Sequence, residues 1–176
     1  MTLPLDGILV IDFSQFLSGP LCSLKLADLG ARVIKIERPG TGSPTRRMGP
    51  FGAAGPDHER SGLFAYLNTN KCSVTLDLST DAGVRTLATL LDHVDVVIDD
   101  HESGWLGSVG LDPACFAQSW PGVVLCSITA YGQNPPEDRR YAEDLTVFNS
   151  SGWGYHTPGG GYDDLPPLKG PGRFLV

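Results

Sequence analysis

Three clusters of chemically capable residues stand at the ends of apolar runs. Asp12 to Ser18 follows Ile8–Ile11, Glu37-Arg38 follows Val33–Ile36, and Asp99-Asp100-His101-Glu102 follows Val94–Ile98. Runs of this length read as buried strands. On an open parallel sheet, ligands bind beyond the carboxyl ends of the strands. Asp12 to Ser18 and Glu37-Arg38 are therefore the first place to look for a site. The turn after the first run contains a single Gly19-Pro20, and the amides that open the next helix suit a ligand phosphate or an ordinary strand-to-helix turn equally. There is no GxGxxG after the first strand and no GxxxxGK[ST] anywhere, so a dinucleotide-binding reading loses its main support.

The elements that would position these clusters alternate. Leu21 to Leu29 is amphipathic and stops at Gly30, so the first two strands and this helix make a βαβ unit. Gly40 to His58 is a long Gly- and Pro-rich excursion carrying Arg46-Arg47, and Ser61 to Tyr66 adds a helical turn. Lys71 to Leu78 alternates as a third strand. Ser79-Thr80-Asp81 offers N-caps for a helix over Ala82 to Leu91. Asp112-Pro113 opens a short helix to about Ser119, and Val123 to Ile128 is a fifth strand. This order predicts an α/β fold with a doubly wound, mainly parallel, Rossmann-like sheet. Residues 1–132 form that domain. Residues 133–176 are a Pro- and Gly-rich extension, with a helix over Glu143 to Gly152 and loop over Gly154 to Gly172.

The 176 residues suffice for a sizeable core, and no apolar run approaches a membrane span. No signal peptide is visible. A net charge of -7 argues against nucleic acid as a partner. Cys22, Cys72, Cys115 and Cys126 form no CxxC pair and read as buried free thiols of a cytoplasmic protein rather than disulfides. His58, His93, His101 and His156 lack ligand spacing, so no metal site is expected.

Four stretches carry a family resemblance. LDGILVIDFSQFLSGPLCSLKLADLGARVIKIERPGTG, LNTNKCSVTLDLSTDAG, DVVIDDHESGWLGSVGLD and VVLCSITAYG resemble, in order and spacing, the motifs of the class III CoA-transferases, the group of formyl-CoA transferase and carnitine CoA-transferase. The resemblance implies that this chain is the N-terminal portion of an enzyme moving CoA from an acyl-CoA to a carboxylic acid. Coenzyme A or its thioester enters as substrate, and no prosthetic group is implied. The positions matching the family's CoA contacts are Leu17, Ser18, Arg38, Leu76, Asp77, Leu78, Ser79, Asp100, His101, Glu102, Arg140, Tyr141, Ala142 and Glu143. The Arg38 guanidinium suits the phosphates of CoA, or is a solvated surface charge. Arg46, Arg47, Lys71 and Arg140 read as solvated charges first and phosphate ligands second.

Several positions depart from the family pattern. Its ENFRPG stretch reads Asp99-Asp100-His101-Glu102-Ser103-Gly104 here, and two added acids would repel a polyanion. Its NKR reads Asn70-Lys71-Cys72, and Glu143-Asp144 stands where the racemase branch carries a His-Asp pair. Glu143 is a possible accessory catalytic group or a plain helix glutamate. The family's nucleophile is an aspartate whose carboxylate forms acyl anhydrides. No aspartate here matches its motif, Asp163-Asp164 included, and alignment puts it just after Val176. The apolar, uncapped end Phe174-Leu175-Val176 suggests truncation, and the chain alone is expected to be inactive. The family's dimers imply a homodimer for the full-length form, or a complementary chain carrying the rest. The alternatives are a non-catalytic CoA-binding module or one subunit of a split enzyme.

Overall fold

The fold is seen in a computed structural model that describes residues 2–53, 55–136, 142–156, 166 and 170. Five strands form one sheet: β1 (Leu9–Asp12), β2 (Arg32–Glu37), β3 (Lys71–Thr75), β4 (Val96–Asp99) and β5 (Val124–Ser127). Their order is β3-β2-β1-β4-β5, and all four pairings are parallel. The crossovers carry α1 (Ser18–Asp28), α2 (Gly62–Leu67), α3 (Asp81–Leu91), α4 (Trp105–Ser108) and α5 (Pro113–Ser119). The chain runs outward from β1 to β3, then returns to β4 on the other side of β1. That reversal places the switch point between β1 and β4, where a crevice opens at the carboxyl ends.

Successive strand residues point to opposite faces, and the two cores follow from that alternation. Ile11, Phe13, Ile36 and Val97 pack with Leu87 and Leu91 of α3, Leu106 of α4 and Phe116 of α5. Val10, Val33 and Ile98 pack on the other face with Ala27 of α1 and with Ala31. Both faces are covered, which is why the central strands are largely apolar on both faces, with Lys35 the buried exception in β2.

The helix starts obey their caps. Thr80 Oγ1 accepts the Gly83 N–H at 3.1 Å, so Thr80 is the cap among the three candidates before α3. Asp112 Oδ1 accepts the Ala114 N–H at 2.9 Å, with Pro113 in the first turn of α5. Gly30 at φ +104° lets the chain reverse out of α1, with the Ala31 N–H on the Leu26 carbonyl at 3.0 Å.

Some boundaries move. α1 begins at Ser18, three residues before the expected start, because the turn is short and Pro20 is tolerated in a first helical turn. β3 ends at Thr75, leaving Leu76 to Ser79 as an irregular strand-end segment. Cys72 and Cys115 are exposed rather than buried: Cys72 stands on the edge strand and Cys115 on α5, while Cys22 and Cys126 are partly covered. All four are free thiols.

The chain divides into two compact units, Met1–Ile128 and Thr129–Val176. In the second, α6 (Asp144–Ser150) is followed by α7 (Trp153–His156), the latter where glycines had predicted loop. Phe148 of α6 is buried, and the Tyr131 and Ser150 hydroxyls lie 2.7 Å apart.

Leu87 is fully buried against the sheet. Leu87→Ala is expected to cost about 2–5 kcal/mol of stability, read by urea unfolding. A loss well under 1 kcal/mol would contradict this core.

Candidate functional site

The end of β1 is held by buried charge. Asp12 is fully buried, and its Oδ2 lies 3.0 Å from Lys71 Nζ and 3.8 Å from Lys35 Nζ. Ser23 Oγ of α1 donates to the same oxygen at 2.6 Å, and the Ser14 hydroxyl and N–H donate to Oδ1. Burial alone would raise the Asp12 pKa, but the two lysines and two hydroxyls outweigh it and hold the carboxyl below its usual range. Lys71 goes the other way: burial pushes its pKa down more than Asp12 holds it up. Lys71 also donates to the Pro20 carbonyl at 2.9 Å, and Lys35 to the Ser14 carbonyl at 2.7 Å. Lys71 is thus a buried structural cation, not the solvated charge or phosphate ligand its sequence position allowed.

The end of β2 is fixed by Glu37. Arg46 reaches it with Nε and Nη2 at 2.7 and 3.0 Å, Ser73 Oγ donates at 2.6 Å and the Ser43 N–H at 2.9 Å. Burial raises the Glu37 pKa, but these donors overcome it and pull the carboxyl down to about 2. Arg46 also lies 3.7 Å over the Phe64 ring. It pins the long excursion to the sheet and is not a solvated charge. Gly42 is required here, because a Cβ would meet both Arg46 and Glu37.

The end of β4 turns inward as well. Asp100 accepts the Gln15 N–H at 2.5 Å and the Phe16 N–H at 3.4 Å. Burial raises its pKa despite these donors. Its carboxylate is engaged by the β1–α1 turn instead of standing free to repel a ligand. Gly19 is needed at that turn, since a Cβ would collide with Ser14 and Asp100. Asp99, 1% exposed, binds His101 Nδ1 at 2.6 Å. The His101 ring stacks on Trp105 with centroids 3.5 Å apart and planes 5° from parallel. Trp105 in turn tilts against Phe13 at 5.8 Å.

Between these strand ends lies a cleft of about 560 Å³. Its apolar lining includes Phe13, Ile36, Leu76, Leu78, Trp105 and Val109. Arg38, Asp77, Ser79 and His101 supply polar groups. Arg38 is exposed, and its guanidinium has no hydrogen-bond or ion-pair partner among the described residues. Asp77 is spoken for by the Ser79 hydroxyl and N–H, which lower its pKa. An apolar slot with an uncommitted guanidinium beside it suits a ligand with a flat apolar part and a phosphate.

Of the sequence candidates, Arg38, Leu76, Asp77, Leu78, Ser79 and His101 meet in this cleft. Leu17 and Ser18 open α1 and do not line it, and Leu17 makes no side-chain cap. Asp100 and Glu102 flank His101 outside the lining. Glu143 is the exposed N-cap of α6, its N–H donating to Thr146 Oγ1 at 3.1 Å, and Ala142 precedes it. Arg140 and Tyr141 lie outside the described residues. Phe13 and Gln15 fall within the Asp12 to Ser18 stretch flagged from the sequence, though neither was singled out, and Trp105 was missed; an aromatic four residues past His101 was the available signal. Among the described residues, no three His, Cys, Asp or Glu side chains are placed to hold a metal ion.

The model of CoA-transferase family III matches residues 5–172, and this chain belongs to that family. It is 35% identical over 166 residues to mouse succinyl-CoA:glutarate CoA-transferase, covering 94% of this chain and 36% of that one. It is 36% identical over 168 residues to formyl-CoA:oxalate CoA-transferase of Rhodopseudomonas palustris strain HaA2, covering 96% and 38%. Among solved structures, hypothetical protein Rv3272 of Mycobacterium tuberculosis superposes with a TM-score of 0.79 at 34% identity, covering 98% of this chain and 46% of that one. A CAIB/BAIF family protein from Brucella suis gives 0.79 at 32% identity, covering 96% and 44%. The chain spans less than half the length of each of these relatives.

Because Glu37 ionises far more readily folded than its ordinary 4.5, its contribution is fully present above pH 4.5 and fades as pH falls toward about 2. That contribution is on the order of 3 kcal/mol. Glu37→Gln is expected to lower stability at pH 7 and to flatten its decline between pH 5 and 3, measured by urea unfolding. Parallel pH curves for the two proteins would contradict this role.

Proposed function

We propose that the chain forms the CoA-binding part of a class III CoA-transferase that moves CoA from an acyl-CoA to a carboxylic acid through aspartyl anhydride intermediates. The observation that carries this reading is the uncommitted Arg38 guanidinium beside an apolar cleft at the carboxyl ends of β1, β2 and β4. The adenine of CoA would lie against the apolar lining, and Arg38 would meet a phosphate. The printed names of the enzymes from mouse and R. palustris share an acyl-CoA and a carboxylic acid as reactants, which supports that substrate class. Leu76 to Ser79 would follow the ligand along the slot, and Ser18 would approach it from α1.

The nucleophilic aspartate has no motif match among these 176 residues. That favours a second reading for the isolated chain: a non-catalytic binding module, or one subunit of a split enzyme completed by a complementary chain. Under either reading the 176-residue chain binds CoA and does not turn over.

Calorimetric titration tests this. CoA is expected to bind the pure chain, NADH is not, and Arg38→Ala should weaken CoA about tenfold, about 1.4 kcal/mol. Absence of CoA binding at millimolar concentration would overturn the reading. Measurable CoA transfer by the chain alone would overturn its inactivity.

A further inference from the structure

His101 stands in the wall of the cleft with its ring held by Asp99 and Trp105. A carboxylate only accepts, so the 2.6 Å contact with Asp99 puts the ring proton on Nδ1. With the proton on Nδ1, the Nε2 edge is the one that can carry a lone pair. Trp105 covers one face of the imidazole and Asp99 occupies its Nδ1 edge. The other face and the Nε2 edge remain. Among the described residues Nε2 has no partner, and the His101 side chain is 11% exposed in the wall of the cleft. Tilting the ring gives up the Trp105 stack, and a half-turn in its own plane gives up the Asp99 bond. It is therefore a fixed acceptor, not an adaptable one. The family pattern quoted above carries phenylalanine here, which keeps the aromatic stack but offers no acceptor.

We propose that His101 Nε2 is a specificity element that reads a hydrogen-bond donor on the ligand, namely the exocyclic amine of a purine. The inference rests on the CoA reading of the cleft and adds which part of the ligand this chain checks. The purine would lie on Ile36, Leu76 and Leu78 with its amino edge toward His101, while Arg38 holds a phosphate. An oriented acceptor penalises a ligand that presents an acceptor in place of a donor, because both then lose their partners. Asp99 is a positioning residue for this ring, fixing its tautomer and orientation.

The test compares adenosine 3′,5′-bisphosphate with inosine 3′,5′-bisphosphate, which replaces the amine by a carbonyl, by calorimetric titration of the 176-residue chain. The chain is expected to prefer the adenosine ligand by about tenfold. His101→Phe should retain binding and bring the two ligands within about twofold of each other. A 2′-deoxy adenosine ligand should bind the native chain as tightly as the ribose form, which separates the amine from a ribose hydroxyl as the donor read. Equal affinity of the native chain for the adenosine and inosine ligands would overturn the inference while leaving the CoA reading intact. A tenfold preference that survives in His101→Phe would do the same, as would a loss confined to the 2′-deoxy ligand. Failure of both bisphosphates and of CoA to bind would overturn the CoA reading and the inference together. Circular dichroism of His101→Phe and the conservative His101→Gln checks folding. Partial recovery of the preference in His101→Gln, whose carbonyl can accept, supports the inference.

Discussion

The site depends on one buried carboxylate. Asp12 ends β1 at the switch point of the sheet and is surrounded by Lys35 from β2, Lys71 from β3 and Ser23 from α1. Three elements far apart in sequence are thereby referred to a single side chain. Two lysines facing one aspartate inside a protein would be costly if any donor were left over. Here the surplus is absorbed by backbone: the Ser14 and Pro20 carbonyls take a lysine each. The result is a fixed turn after β1, against which the end of β4 and the excursion after β2 are built.

From that anchor the remaining supports radiate outward. Asp100 receives the amides of the turn, so β4 is locked to β1. Ser43 donates to the Gln15 carbonyl while its N–H serves Glu37, so the long excursion after β2 is tied to the same turn. Three of the four acids at the strand ends are thus structural, and Asp99 spends its charge on His101. This leaves Arg38 as the uncommitted cation of the cleft among the described residues, beside an apolar slot. A site that spends its buried charges on architecture and keeps one exposed guanidinium for the ligand can bind a polyanion on an acidic protein with net charge -7.

The sheet was legible because its signals are local. Ile8–Ile11 is an apolar run, and Val33–Ile36 and Val94–Ile98 are interrupted by Lys35 and Asp95 alone, as suits strands covered on both faces, and Gly30 and Thr80 punctuate the helices as their types require. The direction of side chains at strand ends was not legible. Lys71 and Arg46 look like solvated or ligand-facing charges in one dimension; the sheet order β3-β2-β1 brings Lys71 to Asp12, and the fold-back of the excursion after β2 brings Arg46 to Glu37. The same holds for Asp100, whose added charge looked hostile to an anion until its amide partners across the switch point were known. Trp105 was overlooked because its contact with His101 needs the turn through Gly104, which takes φ +89°. The resemblance located the ligand-facing stretches, while folded geometry separated binders from supports.

The most direct test of the account is where CoA lands. Backbone amide shifts of the ¹⁵N-labelled chain, followed through a CoA titration, report that position residue by residue. The account predicts shifts concentrated at Ile36 to Thr41, Leu76 to Ser79 and His101 to Val109, with β5 and α5 undisturbed. Saturable shifts centred elsewhere, with these three stretches unchanged, would contradict it.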